Sequence, residues 1–88
     1  DRYGAIQLAY DVISRGGTAG AVFNAANEVV VNSFLQNALP FGSIIAIVEE
    51  VLKRAPIDEY IDFNSLVKAD HETRELTTAL IAALKVHS

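Results

Sequence analysis

The chain has no cysteine, no methionine and no tryptophan, and only two histidines and two prolines in 88 residues. Without cysteine there can be no disulfide, no thiolate nucleophile and no zinc–thiolate site; a reducing, cytoplasm-like setting is compatible with this. A chain that begins at Asp1 and holds no methionine reads as a fragment or processed product. Positive charge is also scarce. Seven basic against eleven acidic residues leave a net charge of −4, and among the basic residues only Lys53 and Arg54 are adjacent. Phosphate backbones require a basic face, so nucleic acid is not expected as a partner. No apolar run reaches the roughly 18–20 residues that cross a bilayer, and the N-terminus lacks the basic-then-apolar layout of a secretory signal. A membrane partner is therefore not expected either.

What is abundant is apolar surface. Hydrophobic residues make up 51 % of the chain, a high share for a domain this small. A chain of this length fits one small domain, spanning 1–88, and buries roughly 60–65 % of its unfolded surface. A complete doubly wound nucleotide-binding fold does not fit beside anything else. Some of the apolar surface is therefore expected to face a neighbouring domain.

The apolar positions follow a helical period nearly throughout. Ala5, Leu8, Ala9, Val12 and Ile13 form a first stripe, ended by Arg15 and the pair Gly16-Gly17. Thr18 is placed to cap a second helix that runs to about Gln36, with Val22, Ala26, Val29, Val30, Ser33 and Phe34 as its packing face. The connection is so short that the two helices must fold back on each other. Asn37-Ala38-Leu39-Pro40 breaks the pattern. A third helix starts at Gly42 or Ser43, uses Ile44, Ile45, Ile47, Val48, Val51 and Leu52, and stops at Pro56. Residues 56–62 read as an acidic connection, Phe63 to Lys68 as a short helical turn, and Asp70 as the cap of a last helix carrying Leu76, Leu80, Ile81 and Leu84. The expectation is an all-α fold, a small four-helix up-down bundle.

Candidate chemistry is sparse. Neither His71 nor His87 has a glutamate three residues before it, and the carboxylates show no calcium-loop spacing, so no metal ligands are assigned. Gly16-Gly17-Thr18-Ala19-Gly20 superficially resembles a phosphate loop but lacks its lysine and does not follow a strand. An anion at the start of the second helix is one reading, and a helix stop followed by a cap is the simpler one. Ser14, Ser33, Ser43, Ser65 and Ser88 have no evident histidine–carboxylate partners. No catalytic or cofactor-binding residue is assigned. That leaves Asn24, Asn27 and Glu28, which three- and four-residue offsets place on one face of the second helix. They could grip a ligand, or serve as a structural polar cluster whose amides bond the Gly16-Gly17-Thr18 hinge or a partner domain. The structural reading is preferred, because a carboxamide within an apolar helix is costly unless paired.

The stretch Gly16-Gly17-Thr18-Ala19-Gly20-Ala21-Val22-Phe23-Asn24-Ala25-Ala26-Asn27-Glu28-Val29-Val30-Val31 closely resembles the GGTAxAVxNAANEVxV signature in the C-terminal domain of the 1-deoxy-D-xylulose 5-phosphate reductoisomerases. Ile6 to Tyr10, Phe34-Leu35, Phe41 with Ile45, and Ala69-Asp70 with Arg74 and Leu76 extend the likeness over nearly the whole chain. Gly4, Ala5 and Gly42-Ser43 depart from the residues usual there. The resemblance implies a homodimeric, NADPH- and divalent-metal-dependent (Mg or Mn) parent enzyme of isoprenoid biosynthesis, in a bacterial cytoplasm or a plastid. It converts 1-deoxy-D-xylulose 5-phosphate to 2-C-methyl-D-erythritol 4-phosphate. The nucleotide, metal and substrate motifs of that family have no match here. What the resemblance implies for this segment is a non-catalytic helical domain that braces the catalytic domain of the same polypeptide. The alternatives are a stand-alone helical protein-interaction module and a small-molecule binder built around Asn24, Asn27 and Glu28.

Overall fold

The computed structural model describes residues 2–36 and 42–87. Four helices account for most of them: α1 (Arg2–Arg15), α2 (Ala19–Leu35), α3 (Ser43–Arg54) and α4 (Phe63–His87). The fold is all-α. The breaker at Asn37 to Pro40, and Phe41 after it, lie outside the described residues.

Helix α2 is the hub. It packs against α1, α3 and α4, and α3 also touches both α1 and α4, whereas α1 and α4 do not meet among the described residues. The sequence of α2 suits that position. Val22, Ala26 and Val30, four residues apart, form one ridge that is wholly buried, with Ala19 and Ala25 beside it. Small side chains on such a ridge let three neighbours approach the same backbone. Leu8 of α1, Ile47, Val48, Val51 and Leu52 of α3, Ala55 after it, and Ile81 of α4 close the core around that ridge.

The apolar stripes of α2 and α3 coincide with the buried faces, and those of α1 and α4 do so only in part. On α1, Leu8 is buried, but Ala9 and Ile13 are exposed. On α4, Leu84 is exposed while Thr73 and Thr77 are buried. Threonine has the shape of valine, and the Thr77 hydroxyl satisfies itself by donating to the Thr73 carbonyl at 2.6 Å.

The largest departure from the sequence reading concerns α4. Phe63 to Lys68 is no separate turn, and Asp70 caps nothing: both lie inside one helix of 25 residues. The cap is Asp62, about two turns before the Asp70 at which the sequence reading started the last helix. Its Oδ1 accepts the Ser65 N–H at 2.7 Å, while Ser65 Oγ accepts the Asp62 N–H at 2.9 Å. This reciprocal pair satisfies two amides that would otherwise lack partners at the helix start. Asp70, its own amide already committed to the helix, turns its carboxylate to Arg74 at 3.0 Å.

Gly16 and Gly17, between α1 and α2, have φ of 65° and 55°, in the left-handed region. They differ in what surrounds them. A Cβ on Gly16 would meet nothing within 4 Å, but one on Gly17 would lie 2.0 Å from the Asp58 carbonyl oxygen. Gly16→Ala should cost about 1–2 kcal/mol, the usual left-handed penalty. Gly17→Ala carries the same penalty and must also displace the 55–62 connection, so its loss should exceed about 3 kcal/mol. Urea unfolding of the two variants checks this, and equal losses would remove the close approach from the account.

Candidate functional site

The close approach at Gly17 allows a two-bond clamp. The Thr18 N–H donates to the Asp58 carbonyl at 2.8 Å, and Thr18 Oγ1 accepts the Asp58 N–H, also at 2.8 Å. Thr18 is buried and Asp58 is exposed, so the clamp is partly shielded from water. Its hydroxyl is thereby diverted from the capping role that the sequence suggests, and no side-chain cap bond forms at the start of α2. The amide of Ala19 donates to the Gly16 carbonyl at 3.1 Å. Two of the amides that an anion would use at this helix start are therefore already bonded to main-chain carbonyls.

Arg15 acts at the same end of the molecule. Its Nη1 donates to the carbonyl of Leu52 at 2.8 Å. That carbonyl belongs to the last turn of α3, where helix carbonyls lack internal partners and the dipole favours a cation. The residue that reads as a terminator of its own helix thus caps a different one. The groove between α1 and α3 encloses about 430 Å³ and is walled by Asp11, Arg15, Glu49 and Lys53 among others. Charges of both signs alternate there, so no single ligand charge is favoured.

Asn24, Asn27 and Glu28 are all exposed. They lie on the strip of α2 that its three neighbours leave uncovered, together with Gly20, Asn32 and Leu35. The hinge does not receive their amides: the Gly16 N–H donates to the Val12 carbonyl, and the Gly16 carbonyl accepts from Ala19. Asn27 borders a small cavity of about 110 Å³ with Phe23, Ile44 and Ile45. Glu28 points toward α4 and pairs with Arg74 at 3.4 Å, and Arg74 also holds Asp70. Bonding to Asp70 first, and to Glu28 second, raises the Arg74 pKa above its usual value. The group is solvated, so this pairing orients α2 against α4 more than it stabilises them. The structure therefore separates the three sequence candidates into one interhelical tie and two free-facing carboxamides.

Among the described residues, no three His, Cys, Asp or Glu side chains converge to hold a metal ion. His71 pairs with Glu75 at 3.2 Å on the exposed side of α4. Among the described residues, no helix is long and apolar enough to cross a membrane. Two functional contacts escape sequence reasoning, that of Asp58, which acts through its backbone, and that of Arg15, whose acceptor lies 37 residues away.

The clamp is testable through its hydroxyl. Thr18→Val keeps the shape and strands the Asp58 amide, so stability should fall by about 1–3 kcal/mol, whereas Thr18→Ser should recover most of it. Asn27→Ala, at an exposed position, should change stability by less than about 0.5 kcal/mol. Denaturant midpoints distinguish these outcomes.

Comparison with known proteins places these features. Residues 1–76 match the family described as DXP reductoisomerase C-terminal domain. The chain is similar to the 1-deoxy-D-xylulose 5-phosphate reductoisomerase of Dechloromonas aromatica (strain RCB), 44 % identical over 81 residues, which covers 92 % of this chain and 20 % of that protein. The protein of the same name from Nitrosomonas eutropha (strain DSM 101675 / C91 / Nm57) is 41 % identical over 75 residues, 85 % of this chain and 18 % of that one. That of Xanthomonas campestris pv. campestris (strain 8004) is 38 % identical over 88 residues, 100 % of this chain and 22 % of its own. The chain spans about a fifth of the length of the curated relatives it matches.

Proposed function

The chain belongs to the DXP reductoisomerase C-terminal domain family, and on that premise we propose that residues 1–88 form one non-catalytic helical domain of a larger reductoisomerase. The parent enzyme, on this reading, converts 1-deoxy-D-xylulose 5-phosphate to 2-C-methyl-D-erythritol 4-phosphate with NADPH and a divalent metal such as Mg or Mn. It works as a homodimer in a bacterial cytoplasm or a plastid. The observation that carries the proposal is the asymmetry of the match: one relative is covered over 92 % of this chain but only 20 % of its own length.

The metal and the nucleotide implied for the parent do not fit the residues described here. No carboxylate or histidine cluster would hold the metal, and the glycine segment that superficially resembles a phosphate loop is closed by the Asp58 carbonyl. No step of the reaction is therefore assigned to this segment. Its residues instead hold helices together, as suits a brace for the catalytic domain of the same polypeptide. Asn24 and Asn27, free-facing on α2, would bond polar groups of that neighbour.

The native polypeptide tests this. Immunoblotting source cells for this segment should show a band several times larger than 9.5 kDa. The protein purified through it should oxidise NADPH only when 1-deoxy-D-xylulose 5-phosphate and Mg are both present. A native band at 9.5 kDa would instead favour a free-standing interaction module.

A further inference from the structure

Large apolar side chains are left in solvent mainly at one end of the molecule. Tyr60 is 71 % exposed, Ile61 55 %, Phe63 79 % and Val67 51 %, with Leu66 beside them. Ile13, in the last turn of α1, is 80 % exposed. The topology places all six at one end of the molecule. The α1–α2 hinge is bonded to Asp58, and Arg15 to the end of α3, so the C-terminal ends of α1 and α3 and the N-terminal ends of α2 and α4 share this pole. Phe63, Leu66 and Val67 lie at offsets of three and four residues, on one face of the first two turns of α4.

A flexible loop would fold such groups inward, but this one is held. Asp58 is fixed by two bonds to Thr18. The Tyr60 carbonyl lies 3.2 Å from the Ser65 hydroxyl, and Asp62 is locked in its reciprocal pair with Ser65. Tyr60 and Phe63 together leave on the order of 300 Å² of aromatic surface in water. Exposure on this scale at one end, on a fixed backbone, marks a contact surface.

We infer that this pole, centred on Tyr60, Ile61, Phe63 and Val67, is the face that docks onto the remainder of the same polypeptide. The inference rests on the reading of the chain as part of a larger reductoisomerase. The occupant follows from length: the relatives carry about four-fifths of their residues outside the matched region, and a neighbour in the same polypeptide is present at high effective concentration. Elsewhere among the described residues the exposed large apolar side chains are Tyr10, Leu35 and Leu84, which lie on three different helices.

The test uses the native full-length protein with the photoreactive residue p-benzoylphenylalanine at position 63, a large aromatic in place of an exposed one. Irradiation should join position 63 to a peptide from outside residues 1–88 of the same polypeptide, and the same probe at the exposed position Thr78 should not. As a second readout, Phe63→Cys should react with a maleimide at least tenfold more slowly than Thr78→Cys, followed by peptide mass spectrometry. Links confined to residues 1–88, links to a second copy, absence of any link, or equal labelling rates would each overturn the docking face. The intact mass in the same experiment separates the two readings. A polypeptide several times 9.5 kDa with a freely reactive position 63 sinks the docking face alone, and one of 9.5 kDa sinks the larger enzyme with it.

Discussion

The paired bonds between Thr18 and Asp58 set the geometry from which the other contacts follow. They join the α1–α2 hinge to the connection between α3 and α4, 40 residues further along the chain, so both crossings at this pole are tied in one place. The tie forms only because Gly17 has no side chain where the Asp58 carbonyl passes. With Asp58 fixed, Asp62 lies four residues on, where its pairing with Ser65 starts α4. From that start α4 runs along α2, its most extensive neighbour. A clamp of main-chain groups and one short hydroxyl suits the task, since it ties the connection without relying on a long side chain whose rotamers would have to be fixed.

Burial, not charge, supplies most of the cohesion. Each fully buried valine or isoleucine contributes about 1.5–3 kcal/mol relative to exposure, and Val22, Val30, Val48 and Val51 are all at or near complete burial. Of the ion pairs among the described residues, those of Arg54, Lys68 and His71 lie within single helices at four-residue spacing. Exposed pairs of that kind are worth a few tenths of a kcal/mol. Only Arg74 reaches across, to Glu28, and its exposure limits its effect to orientation. The hydroxyls of Thr73 and Thr77 show how the core accepts polar groups: Thr77 bonds the carbonyl one turn back, so no exposed surface is needed to satisfy it.

The helical periods of α2 and α3 were legible because each is covered over a broad face, so burial and apolar pattern coincide. The period held only in part on α1 and α4, for one reason. Ile13 and Leu84 are apolar and exposed, and a sequence pattern cannot separate a side chain facing the core from one facing a second surface. Asp70 misled for a different reason. An aspartate before a helical stretch is a good cap, and Asp62 with Ser65 is a better one that the acidic connection concealed. The glycine pair and its threonine were legible as a punctuation mark between helices. Their real partner was not, since Asp58 contributes only backbone groups and any residue other than proline could supply them. The exposure of Asn24 and Asn27 was equally hidden: the cost of burying a carboxamide applies only on the covered sides of α2, and which sides those are depends on where α1 and α4 lie.

The clamp and the apolar pole are parts of one arrangement. Docking of a loop costs the freedom that its side chains and backbone lose on contact. Here that freedom is already removed within the domain, at Asp58 by Thr18 and at Asp62 by Ser65, with the three residues from Glu59 to Ile61 held between those anchors. Tyr60 and Ile61 therefore meet a partner in positions set beforehand, and Phe63, at the first position of α4, inherits its direction from the same cap. Loosening the clamp would act twice. It would weaken the tie between the two helical hairpins, and it would let the apolar residues of the connection collapse onto their own chain, so the surface would be lost before the fold. That coupling gives a physical reason for a glycine, a buried threonine and a reciprocal cap to lie at one pole of a domain whose own chemistry is only packing.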